Sequence, residues 1–198
     1  MPTDVAWEAL YSSGLEHVIV DTDDSGFRAE SQLIAGPPSG PASISYDLSC
    51  AENWRVTSLT VRLASAAGRR SLELSTDPEG HWLVDGKRQP DLDGCIDVDF
   101  ALTPLTNTLP IRRLSWSAGE ARELDVVYVT PELTVRPARQ RYTLLGSDAG
   151  KADPVNSDAG QGVSRYRYQS GTFSADLTVD DEGFVTDYPE LWRRAWLL

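Results

Sequence analysis

The sequence predicts an all-β fold built from antiparallel strands, and three observations carry that expectation. Apolar and polar residues alternate with period 2 over much of the chain. Turn-forming tetrapeptides separate the alternating runs. Helical periodicity is nearly absent.

Taken in order, the first informative run is Trp54 to Leu63. Trp54 and Val56 share one face, while Leu59, Val61 and Leu63 share the other. A β-bulge near Thr57–Ser58 reconciles the two phases and bends the strand. His81 to Val84 leads into Asp85–Gly86, a two-residue hairpin signal. Ile96, Val98, Phe100 and Leu102 alternate with Asp97, Asp99 and Ala101. Leu124, Val126 and Tyr128 form a further strand pattern, as do Tyr166 and Tyr168, and then Phe173, Ala175, Leu177 and Val179. Asp77–Gly80 and Asp180–Gly183 are acidic turns ending in glycine, and each follows a strand and precedes an aromatic-led one. The echo between Leu72–Trp82 and Ala175–Phe184 fits a duplicated β unit and equally fits two generic hairpins. Pro189 to Leu198 is the one helical candidate, a short C-terminal helix with Leu191, Trp192, Ala195 and Trp196 on one face behind a first-turn proline. Gly36–Pro41 and the polar stretch Gly146–Gly162 read as loops, the second mobile and without functional residues.

The chain has 198 residues, which suits one domain over 1–198 and a core that needs no metal or disulfide staple. Its hydrophobic content of 40% and charged content of 24% are those of a globular protein. A net charge of −12 opposes nucleic acid and anionic membranes as partners. Cys50, Cys95, His17 and His81 have no metal-binding spacing, so no metal and no cofactor is expected. Asp91, Asp93, Asp97 and Asp99 lack the spacing of a calcium loop. Met1 to Glu8 has neither the basic nor the apolar region of a signal peptide, and no apolar run approaches the ~18 residues of a membrane span. The expectation is a cytoplasmic protein with reduced thiols and no integral membrane association.

The most unusual stretch is Leu92 to Leu114. A strand places Asp97 and Asp99 on one face, and a polar turn follows with Thr103, Thr106, Asn107 and Thr108. Beyond Pro110 the reading continues as a strand with Arg112 and Arg113 on opposite faces. One reading is a structural ion pair with turn hydroxyls satisfying the backbone. The other is a polar cluster that binds sugar hydroxyls, carboxylates accepting and Arg and Asn donating.

Asp93–Asp99 and Thr103–Leu114 resemble the glycolipid-binding family of bacterial proteins, as do Gly14–His17, Tyr46–Leu48, Trp54–Arg55, Gln140–Thr143 and Asp180–Pro189 in chain order. The resemblance covers nearly the whole chain. It implies a long antiparallel sheet rolled into a curved, barrel-like structure with an internal duplication, a glycolipid or other lipid as ligand, and no catalytic residues. The ligand-site expectation is Asp97, Asp99, Asn107, Arg112 and Arg113, with Trp54, Arg55 and Tyr142 beside them. The polar edge near Asn107 and Arg112 is expected to meet the headgroup.

Two other functions compete. A sugar or ester hydrolase would use Asp97 and Asp99, whose side chains lie roughly 6.5–7 Å apart on one strand, although a glycosidase pair flanks its bond from opposite sides. A protein-interaction module would use an exposed sheet edge. His17 beside Glu16 has no Gly-x-Ser-x-Gly nucleophile to serve, and Cys95 fits burial as well as reactivity.

Overall fold

The computed structural model describes residues 2–35, 40–147 and 162–197, residues 196 and 197 by backbone alone. Most of the expected Gly36–Pro41 loop and nearly all of Gly146–Gly162 lie outside the described residues. The first eight strands are β1 Thr3–Ala9, β2 Gly14–Asp23, β3 Gly26–Ala35, β4 Ala42–Cys50, β5 Val56–Ser65, β6 Gly68–Thr76, β7 Trp82–Val84 and β8 Lys87–Arg88. A 3-10 turn, Pro90–Leu92, leads to β9 Asp97–Phe100. A second 3-10 turn, Leu105–Asn107, runs into the helix α1 Thr108–Arg113. The rest are β10 Ala121–Val129, β11 Val135–Ser147, β12 Ser164–Ser170, β13 Phe173–Val179, β14 Val185–Tyr188 and β15 Trp192–Leu197.

All fifteen strands form one sheet, in the order β8 to β1 and then β15 down to β9. Two meanders are therefore joined where β1 pairs with β15. Neighbours are antiparallel throughout except β9 and β10, which are parallel. The sheet is rolled but not closed by a ladder. Its two edges are brought together by the β8–β9 connection, and the indole Nε1 of Trp82 on β7 donates to the Cys95 carbonyl at 2.9 Å.

Alternation drives the roll. In β3 and β4 every second side chain is buried, including Phe27, Ala29, Leu33, Ile44, Tyr46 and Leu48. The predicted bulge is present: Cys50 pairs with Val56 while Ser49 pairs with Ser58, leaving Thr57 as the extra residue. Val56 and Leu59 consequently both point inward. The two acidic turns share one geometry. Gly80 and Gly183 donate to the Asp77 and Asp180 carbonyls at 2.9 and 3.0 Å, and both glycines have positive φ, +86° and +81°. The bore is filled by the stretch from Leu102 to Ile111, a plug in which Leu105, Thr108 and Leu109 are fully buried.

Two expectations are corrected. Pro189 to Leu198 does not form a helix, because Trp192–Leu197 is strand β15, laddered to β14 on one side and β1 on the other. A helix of about ten residues is marginal by itself, whereas the strand satisfies the backbone groups of both open edges. Arg112 and Arg113 do not lie on a strand either; they close α1, where Pro110 is tolerated within the first turn. Among the described residues no helix is long and apolar enough to cross a membrane.

Candidate functional site

The rolled sheet has two ends. β1, β3 and β5 run toward one of them, and β2, β4 and β6 run away from it. At that end, between the plug and strands β12 to β15, lies a cleft of about 300 Å³. Asp99 from β9, Thr103 and Asn107 from the plug, Arg136 from β11, and Tyr168, Tyr188 and Trp192 line it.

Asp99 is the focus of its polar contacts. It accepts from Gln140 Nε2 at 2.5 Å, from the Tyr168 hydroxyl at 3.2 Å and from Thr106 Oγ1 at 3.5 Å. Burial pushes the Asp99 carboxyl above its ordinary value, and these three donors pull it back. Asn107 Nδ2 donates to the hydroxyl of the fully buried Tyr142 at 2.7 Å. Tyr142 and Tyr168 meet edge to face with centroids 5.2 Å apart, and Tyr168 and Tyr188 do so at 6.3 Å. The Arg136 guanidinium lies over the Tyr128 ring at 4.7 Å. Among the described residues Arg136 makes no side-chain hydrogen bond or ion pair, so its donors are free toward the cleft.

Behind Thr103 stands a second acid. Glu16 is wholly buried on β2 and accepts from Thr103 at 2.7 Å, Tyr46 at 2.7 Å and Ser31 at 2.9 Å. Desolvation raises its pKa from 4.5 to about 7 against those three hydrogen bonds. Asp97 is bound differently. Arg113 grips it with two bonds, Nε to Oδ1 at 3.0 Å and Nη2 to Oδ2 at 2.6 Å, and the carboxylate is 1% exposed.

The site residues expected from sequence therefore divide. Asp99 and Asn107 line the cleft, Tyr142 backs it, and Asp97 and Arg113 form a structural pair deeper in the bore. Arg112 and Trp54 meet at the opposite end, where the guanidinium covers the indole at 5.0 Å and a second cleft of about 230 Å³ opens beside Thr22 and Glu182. Arg55 is exposed next to Trp54. Asn107 and Arg112 thus do not share one polar edge.

Sequence reasoning did not reach Glu16, Arg136, Gln140 or Tyr188 as site residues. Glu16 carried a readable signal, since it stands in phase with the inward Val18 and Val20. The other three depend on which strands become neighbours, which no local pattern encodes. Burial pushes the Cys50 thiol up to about 12 and the Cys95 thiol up to about 11, so both behave as small hydrophobes.

Comparison with known proteins adds to this geometry. A family described as "putative glycolipid-binding" matches residues 4–194. The crystal structure of a DUF1089 family protein from Pseudomonas aeruginosa is 36% identical, covers 92% of each chain and superposes with a TM-score of 0.76. No curated protein matches the chain.

Proposed function

Because the chain belongs to the glycolipid-binding family, we propose that the cleft over Asp99 holds the carbohydrate headgroup of a glycolipid and releases it unaltered. One observation carries the reading: a carboxylate held among tyrosine rings in an accessible cleft, with the Arg136 guanidinium, unpaired among the described residues, beside it. A sugar offers hydroxyl donors to Asp99, hydroxyl acceptors to Arg136, and apolar C–H faces to Phe173, Tyr188 and Trp192. Binding without turnover is supported by the state of the other acids. Asp97 is taken up by Arg113, and Glu16 has its oxygens occupied by three hydroxyls, so neither is free to face Asp99 across a scissile bond.

Calorimetric titration with soluble glycosylglycerols, and chromatography of the ligand afterwards, tests the proposal. Asp99→Asn keeps the shape and removes the acceptor charge, and it should weaken binding about tenfold or more, or ~1.4 kcal/mol upward. The recovered ligand should be intact. Wild-type affinity in Asp99→Asn would remove the cleft from consideration, and liberated sugar that vanishes in the same variant would establish a hydrolase instead.

A further inference from the structure

Seven large apolar side chains are exposed among the described residues, and their distribution is uneven. Four of them, Tyr11, Leu15, Ile34 and Phe173, gather at the end of the roll that carries the Asp99 cleft. Leu15 and Ile34 are direct cross-strand partners on the outer face of β2 and β3, and Ile34 is 63% exposed. Tyr11, in the turn between β1 and β2, stands edge-on to Trp192 with centroids 5.7 Å apart, and Trp192 is in the cleft wall. Phe173 opens β13, packs 6.3 Å from Tyr188 and lines the cleft itself. Because β3, β2, β1, β15, β14 and β13 are successive neighbours, these side chains follow one arc of the rim at the cleft's end of the roll, with the exposed Glu190 between Trp192 and Phe173.

The cleft's size sharpens the question of what covers this arc. About 300 Å³ is the lower end of the ~300–1,000 Å³ typical of sites for drug-sized ligands. It takes a sugar ring and its linkage, and it leaves no room for a pair of long acyl chains. A glycolipid bound here by its headgroup has its tails outside the protein, and every CH₂ of a tail left in water is unfavourable.

We propose that this lip docks on the surface of a lipid bilayer, so that the headgroup is read in the cleft while the acyl chains stay in the membrane. The inference rests on the headgroup reading of the cleft. Tyrosine and phenylalanine suit the interfacial layer, where an apolar body meets polar headgroups. The charge distribution selects the kind of membrane. The net charge is −12, and Glu190 stands exposed beside Leu191 on the lip, so an anionic surface repels the protein. Neutral or zwitterionic lipid bearing uncharged sugars is the matching surface, and attachment through apolar side chains is insensitive to ionic strength.

Co-sedimentation tests this with phosphatidylcholine vesicles containing a minor share of monoglucosyl- or monogalactosyl-diacylglycerol. In parallel, titration with free glucosyl- and galactosylglycerol reads the cleft alone. Tyr11→Ser/Ile34→Ser changes the lip and none of the side chains that line the cleft. Wild-type protein should sediment with the vesicles at low and high salt. The double variant should lose most of that bound fraction while keeping wild-type affinity for the free glycosylglycerols. Binding of the free sugars without sedimentation, or sedimentation unchanged in the double variant, overturns the docking and leaves the headgroup reading intact. A dimer in solution that the double variant converts to monomer also overturns it, since the arc would then be covered by a second copy. Sedimentation that the double variant abolishes, with no free sugar bound by either protein, upholds the docking and overturns the headgroup reading.

Discussion

Glu16 sits at a position where the alternation of β2 demands an inward side chain and where charge is most costly. Its pKa is raised from 4.5 to about 7, chiefly by desolvation. Below pH 4.5 the residue is protonated whether the chain is folded or not, and its contribution to stability is whole. Between 4.5 and about 7 the unfolded chain gives up the proton and the folded one keeps it. Unfolding free energy therefore falls as pH rises through this window, and above it the contribution is gone. At 1.36 kcal/mol per unit of pKa the loss is about 3 kcal/mol. The carboxylates of Asp125 and Asp176 shift the other way, held below their ordinary values by Arg139 and Arg167. They titrate in more acid solution, whereas the raised Asp99 carboxyl acts in the same direction as Glu16, so Glu16's share is the part that disappears when Glu16 alone is replaced. Urea denaturation at about pH 5 and about pH 8 should show the wild type losing stability toward the higher value and Glu16→Gln losing much less. Equal slopes in the two proteins would mean that Glu16 does not carry the effect. The inward phase of Glu16 was legible, because alternation is a local property. Its partners Tyr46 and Thr103 were not, since they lie 30 and 87 residues away.

The elements show where local reading ends. The bulge at Thr57 and the Asp85–Gly86 hairpin follow from residues within a few positions of each other, and both stand as expected. The turn at Ala51–Arg55 closes with the same pair of backbone bonds as the two acidic turns, yet Trp54 occupies the position that they give to glycine, with φ at +62°. No composition rule announces a tryptophan there. It is held by stacking on Phe27, centroids 4.8 Å apart, and by the Arg112 guanidinium above it. The C-terminal segment departs from its helical pattern for a related reason. Leu191, Trp192, Ala195 and Trp196 fit a helical face, and the edge that claims Trp192 to Leu197 as a strand is β1, at the other end of the chain. The strand makes a distinction that a helix would not. Arg194 is 11% exposed and reaches Asp180 at 2.6 Å, whereas the neighbouring Arg193 is 61% exposed and 3.7 Å from Asp187. Arg194→Ala strands the buried Asp180 carboxylate and should cost about 3–5 kcal/mol. Arg193→Ala should cost under about 1 kcal/mol. Thermal denaturation of the two variants checks this, and similar losses from both would contradict the ladder between β14, β15 and β1.

At the scale of the molecule, the stretch from Leu102 to Ile111 is a plug through the bore of a rolled sheet, and its polar residues serve the two ends differently. Near the Asp99 cleft, Thr103 and Asn107 are turned toward Glu16 and Tyr142. Far from it, Arg112 emerges against the Gly183 turn, where an added Cβ would stand 3.0 Å from its Cδ, and spreads over Trp54. The sequence presents these residues as one motif because they are contiguous. The roll separates them because the plug runs the length of the bore between the two clefts. That separation was not legible, since strand order decides which residues share an end, and the joining pair β1 and β15 is the most distant in the chain. It has a measurable consequence. Substitutions at sites without shared contacts act independently, within about 0.5 kcal/mol. Arg112→Ala should therefore leave the affinity for free glycosylglycerols unchanged within that margin, while Asp99→Asn loses it. Arg112→Ala should instead lower stability by about 0.5–1 kcal/mol, through the lost contact with the indole. Calorimetry and denaturant unfolding on the same preparations read both quantities. A large loss of affinity in Arg112→Ala, with stability unaltered, would move the headgroup to the Trp54 end and reunite the motif that the fold divides.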